Sequence, residues 1–157
     1  MKKLFFASIV FLAISLVFTS CKKDDDTLPG GGVTDDLTGT FKVFKDGALL
    51  TEGTVSFVGL VQDNEGNWTN NVSMSSENSS VIIFQFPVGV GSETTMDANG
   101  DPGVGITSGD IYISNGGTMK RESATRVSFD GTFVDASLTG NYNMTGYIEA
   151  EALKKVN

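Results

Sequence analysis

Two stretches late in the chain alternate apolar and polar residues with a period of two. In Arg126–Asp135, Val127, Phe129 and Phe133 share one face, with Ser128, Asp130 and Thr132 on the other. Asn141–Ala150 repeats the pattern, with Tyr142, Met144 and Ile148 on its apolar side. Successive side chains on a strand point to opposite faces, so the alternation predicts strands with one dry and one wet face. Such strands belong to antiparallel sheets. Earlier, Thr40-Phe41-Lys42-Val43-Phe44 alternates and runs into Lys45-Asp46-Gly47, a turn signal. A second run starts at Thr54 and reaches Val61. The polar segment Gln62–Asn67 is expected to cap a hairpin there, with Trp68–Ser75 as a polar strand. Val81–Phe86 is β-branched and aromatic and stops at Pro87. Ile111-Tyr112-Ile113 follows a glycine-rich stretch.

No window between residues 37 and 148 carries a helical period, and a short helix is expected over Glu149–Lys155. About seven to nine strands over roughly 120 residues predict an all-β domain, a single antiparallel β-sandwich or partly open barrel. A domain of this length removes about two thirds of its unfolded surface from water, enough for a core without disulfides.

The first residues follow a different pattern. Met1-Lys2-Lys3 is basic, and Leu4–Phe18 is an uncharged run of 15 residues. A spanning helix needs about 20 apolar residues. A basic start, a short apolar middle and small residues before a cut site predict a secretion signal over residues 1–20. Phe18-Thr19-Ser20-Cys21 resembles the lipobox of bacterial lipoproteins, which implies that Cys21 carries a diacylglycerol and becomes the new N-terminus. Cys21 is the sole cysteine, so no internal disulfide forms, and lipidation accounts for a lone exported thiol. Several acyl chains anchor stably, at about 0.8 kcal/mol per buried methylene. The next residues, Lys22, Lys23, Asp24, Asp25 and Asp26, resemble the surface-export signal of Bacteroidetes lipoproteins. That resemblance implies an outer-membrane protein facing the cell exterior. A plain solvated charge run is the simpler alternative.

Residues 21–36 read as a tether, charged at Lys22–Asp26 and rich in glycine and proline at Leu28-Pro29-Gly30-Gly31-Gly32. Asp26-Thr27-Leu28 resembles the O-glycosylation acceptor of Bacteroidetes exported proteins, which would place a glycan on Thr27. The β-domain is expected over residues 37–157. Its Leu37-Thr38-Gly39-Thr40 entry and its Val127–Phe133 strand resemble, loosely, the small β-domains of unknown function in Bacteroidetes lipoproteins. No function follows from that resemblance.

The whole chain carries a net charge of −8, from 19 acidic and 11 basic residues. Removal of Lys2 and Lys3 with the signal leaves 9 basic residues against 19 acidic ones. Such a surface repels phosphate backbones, so no nucleic-acid partner is expected. The chain has no histidine, which excludes Ser-His-Asp and Cys-His machinery and ordinary zinc sites. Carboxylate chemistry and hard-cation binding through oxygen stay open.

Asp97, Asn99 and Asp101 place oxygen side chains at alternate positions, as a calcium loop presents its first ligands, with Asp110 as a later one. Pro102 stands where an EF-hand has glycine, and no glutamate follows at the twelfth position. The plain turn is therefore the preferred reading, and no resident cofactor is expected. Trp68, the sole tryptophan, follows a polar turn. With Tyr112 and Tyr147 it would offer aromatic faces to a glycan, against the simpler role of packing on the sheet. Glu149 and Glu151 would share a face if the strand continued, at a separation of roughly 6–7 Å. Glycosidases use carboxylates so spaced, but usually from different strands in a cleft. The expected function is therefore a membrane-anchored, non-catalytic binding or accessory module of an outer-membrane assembly, with a protein or glycan ligand. The alternatives are a periplasm-facing structural or small-ligand-carrying barrel and a carboxylate-only hydrolase.

Overall fold

A computed structural model of the chain describes residues 39–55, 57–62, 68–98 and 101–156. Strands β1 (Gly39–Lys45) and β2 (Ala48–Val55) form a hairpin in which Lys45 pairs with Ala48. Its two turn residues, Asp46 and Gly47, have φ of 50° and 82°. Both lie in the left-handed region that a type I′ hairpin turn requires, which glycine and aspartate tolerate best. The chain continues through β3 (Phe57–Gln62), β4 (Trp68–Ser75), β5 (Ser79–Phe84), the short β6 (Glu93–Thr95), β7 (Gly103–Ser108), the long β8 (Asp110–Ser123), β9 (Arg126–Asp135) and β10 (Asn141–Ala150). A 3₁₀ helix, Glu151–Lys155, follows. No helix of the described residues is long and apolar enough to cross a membrane.

Every pairing is antiparallel, in the order β2-β1-β10-β9-β8-β7-β5-β4-β3, with β6 added on β8. β2 and β3 are separated by one residue in sequence yet occupy opposite ends of this order. The sheet must therefore curl until its edges approach, and it forms a half-barrel. A hydrogen bond of 2.9 Å between Thr51 Oγ1 and Ser79 Oγ draws β2 toward β5. Register shifts at Val43/Phe44 and Ser114/Gly117 mark bulges, which strengthen the local twist. Of the two architectures expected, the partly open barrel forms, from one sheet rather than two.

The concave face holds the core. Phe41 and Val43 of β1, Val81 and Ile83 of β5, Phe129 and Phe133 of β9, and Met144 and Ile148 of β10 are all buried. The expected alternation in β9 and β10 is present. Gly146 shares the apolar face of β10, and a Cβ there would stand 2.5 Å from Phe129 Cζ, so its absence makes room for that ring. The 3₁₀ helix contributes Ala152 and Leu153 to the core.

The structure also departs from expectation. The run expected from Thr54 to Val61 is divided between β2 and β3, and β2 begins six residues earlier, at Ala48. Ile111–Ile113 is only the start of the 14-residue β8. The hydrophobic pattern predicts neither β6 nor β7. Gln62 pairs with Trp68, so β3 and β4 form the expected hairpin, while its cap, residues 63–67, lies outside the described residues.

Candidate functional site

A group of polar and aromatic side chains gathers on the inner face at the end of the half-barrel where β1 and β9 finish and β8 and β10 begin. Lys45 closes β1, Asp135 closes β9, and Tyr142 is the second residue of β10. Tyr112 pairs with Asp135 across β8 and β9. The rings of Tyr112 and Tyr142 meet edge to face at a centroid distance of 5.6 Å. Lys45 Nζ lies 3.7 Å from the Tyr142 centroid and 4.7 Å from that of Tyr112, and donates to Tyr112 Oη at 3.1 Å. The ammonium is held against two electron-rich faces.

Tyr142 Oη donates to Asp135 Oδ2 at 3.2 Å. Asp135 Oδ1 accepts from Ser137 Oγ at 2.7 Å and from the Thr139 amide at 3.1 Å. One carboxylate thus organises the whole loop from β9 to β10. Leu138, at that loop's tip, has φ of 59°, and its side chain is exposed.

The surroundings push the titrations of Lys45, Asp135 and Tyr142 further from pH 7. The hydrogen bond to Tyr112 raises the Lys45 pKa. The Ser137 hydroxyl, followed by the Thr139 and Gly140 amides and Tyr142, lowers that of Asp135. Burial, and then the bond to Asp135, raises that of Tyr142. At pH 7 the cluster therefore holds a fixed ammonium, a fixed carboxylate and a neutral phenol. General acid–base work wants a group poised near the working pH.

A second charge lies inside the barrel. Arg121 of β8 is 1% exposed. Its Nε donates to Ser123 O at 2.8 Å, and Nη2 donates to Ala124 O at 2.6 Å and Leu153 O at 2.8 Å. The guanidinium lies 5.1 Å from the Phe86 ring centroid, and Nη1 has no hydrogen-bond partner among the described residues. Burial lowers the Arg121 pKa. The planar fork reaches three carbonyls at once, which fastens the β8–β9 turn and the 3₁₀ helix to the barrel.

Cys21, Lys22, Lys23, Asp24, Asp25, Asp26 and Thr27 lie outside the described residues, as does Asn99. Trp68 opens β4, and its side chain is likewise outside what is described. Its expected companions do not form one surface. Tyr112 is buried on the inner face, whereas Tyr147 lies on the outer face of β10, where Arg126 stacks 3.8 Å from its centroid. Asp97 and Asp101 flank the β6–β7 loop, closed by the Asp97 amide donating to Pro102 O at 2.8 Å. Asp110 is at the far end of β7, roughly 20 Å of strand away, which removes it as a later calcium ligand. Its Oδ1 accepts from the Ile111 amide instead. Among the described residues, no three His, Cys, Asp or Glu side chains gather as a metal site.

Glu149 and Glu151 do not share a strand face, because β10 ends at Ala150. Glu149 lies 3.8 Å from Arg126 Nη1, and Glu151 pairs with Lys154. No family model matches the chain, and no curated protein or solved structure matches it either.

Proposed function

We propose that the chain is a lipid-anchored, non-catalytic surface lipoprotein. It would serve as a binding or accessory module of an outer-membrane assembly, with a protein or glycan ligand. One observation carries the reading. A short apolar run ends in Phe18-Thr19-Ser20-Cys21, contains the chain's sole cysteine, and is followed at once by Lys22–Asp26. The half-barrel is consistent with it. Its described interior is filled by large side chains such as Phe41, Phe133 and Met144, which argues against a carrier of apolar ligands. Its inner carboxylate, Asp135, is held ionised by donors rather than paired with a second acid, as hydrolysis would want.

The test is metabolic labelling with a palmitate analogue, followed by protease treatment of intact cells and recovery from detergent-solubilised outer membranes. The native chain should take up label, be shaved from intact cells and bring down an outer-membrane protein. Cys21→Ser should lose the label and leave the membrane fraction. Labelling with full protection from protease would sink the surface assignment and favour a periplasm-facing barrel. Absence of label would sink the lipoprotein reading.

A further inference from the structure

We infer that the loop carrying Val88 and Val90 rests on the lipid surface when the chain is anchored through Cys21, an inference that depends on the lipoprotein reading. Four large apolar side chains stand exposed among the described residues: Leu49, Val88, Val90 and Leu138. Two of them share this one loop, and Val90 is the most exposed of the four, at 63%.

The loop is built to present them. Phe86 and Pro87 are buried at its base, and Phe86 is tied to Asn70 through its amide at 3.0 Å and its carbonyl at 2.7 Å. The Ser92 amide donates to Gly89 O at 2.9 Å, closing a turn around Val90 and Gly91. The Gly91 amide donates to Arg121 O at 2.7 Å, and the Arg121 amide donates to Ser92 O at 3.0 Å. With these polar groups already paired, less backbone is left wanting water as the loop enters a headgroup layer.

Its position agrees. Arg121 binds both this loop and Leu153 of the 3₁₀ helix. That helix follows Ala150, which pairs with Gly39, where β1 begins. The loop, the helix and the entry of the chain therefore share one end of the half-barrel. Leu49 and Leu138 lie toward the other end of β1 and β10, roughly 20 Å away along the strands. The 17 residues Lys22–Thr38 cannot span more than about 60 Å however they are arranged, which keeps the domain near the membrane. Two valines on an acidic domain would not hold it there unaided. A lipid anchor makes the contact effectively intramolecular, so a weak apolar contact suffices.

The test uses the full lipidated chain in phosphatidylcholine vesicles. Because Cys21 carries lipid, Val90→Cys and Leu138→Cys each supply the sole free thiol for a fluorescent label. A spin quencher carried on the lipid chains should quench the label at 90 several-fold more than the label at 138. Val88→Asp in the Val90→Cys background should reduce that quenching without changing the circular dichroism. Equal quenching at 90 and 138, in protein that floats with the vesicles, overturns this inference alone. Failure to float overturns the lipoprotein reading with it.

Discussion

Replacing Gly131 with alanine would put a methyl group where β8 and β9 touch. Gly131 pairs with Gly117 across the bulge in β8. A Cβ at 131 would stand 2.5 Å from Met96 Cε and 3.1 Å from Gly117 Cα, and closer still to the Gly116 carbonyl oxygen. Met96 is flexible and can swing aside. The Gly116 carbonyl is backbone, and it moves only if the strands part. Overpacking typically costs about 1–3 kcal/mol, and forced backbone movement places this case near the top, at about 3 kcal/mol. Total stability for such a domain is about 5–15 kcal/mol. At roughly 3–5 °C per kcal/mol, the loss lowers Tm by about 10–15 °C. Gly105→Ala is the matched control, because a Cβ there meets nothing within 4 Å. It should be neutral or stabilising by up to about 1 kcal/mol. Urea denaturation midpoints at unchanged slope measure both. If Gly131→Ala stays within about 0.5 kcal/mol of the native chain, inside the range of ordinary surface substitutions, close strand approach is not what demands glycine there. Equal losses at 131 and 105 would refute it equally.

Asp135 should make the fold acid-sensitive. Its pKa is held below the ordinary 3.8, so its contribution is complete above that value and is lost as pH falls through the lower folded value. Asp135→Asn should flatten stability against pH below about 4, read by denaturation at each pH. Arg121→Leu abandons three carbonyl acceptors at about 1–3 kcal/mol each, partly offset by removing a desolvated charge, for a net loss of about 2–4 kcal/mol. Hydrogen exchange at Ala152, Leu153 and Val156 should quicken first, and Arg121→Lys should not rescue it, because an ammonium lacks the fork. Lys45→Met keeps the bulk of the stem but removes the charge from the tyrosine faces, so the ultraviolet titration of Tyr142 should move upward, since Lys45 lowers it.

The strands legible in advance are those whose side chains alternate without interruption. β9 and β10 match the expected Arg126–Asp135 and Asn141–Ala150 residue for residue, and β4 matches Trp68–Ser75. β2 is harder, because Val43 pairs with Thr51 and Phe44 with Leu49, which leaves Leu50 as an extra residue that breaks the alternation. In β8, Ser114-Asn115-Gly116-Gly117 looks like a loop in isolation. It is a bulge inside a strand, and only pairing with β6 and β9 distinguishes the two. The same bulge resets the parity of β8. Tyr112 and Ser114 face inward before it, Met119 and Arg121 after it. Counting in twos from Tyr112 would have put Lys120 inside and Arg121 in water. Asp135, by contrast, was within reach of the sequence. It has the parity of Val127, Phe129 and Phe133, so the alternation itself places a carboxylate on the dry face.

The inward charges share a logic that bears on function. Lys45 and Asp135 sit at strand ends, and Arg121 sits beside the 3₁₀ helix, while the middle of the barrel is occupied by Met119, Phe129 and Met144. Each charge is compensated by neutral groups. Lys45 has two tyrosine rings, Asp135 has hydroxyls and an amide, and Arg121 has three carbonyls. A charge solvated by fixed dipoles stays charged and holds those dipoles in place. Such groups suit the fastening of loops at the two ends of a curled sheet better than the exchange of protons with a substrate. On that argument Asp135 and the Arg121 backbone pin, at opposite ends of the half-barrel, the loops that hold Leu138 and Val90 out.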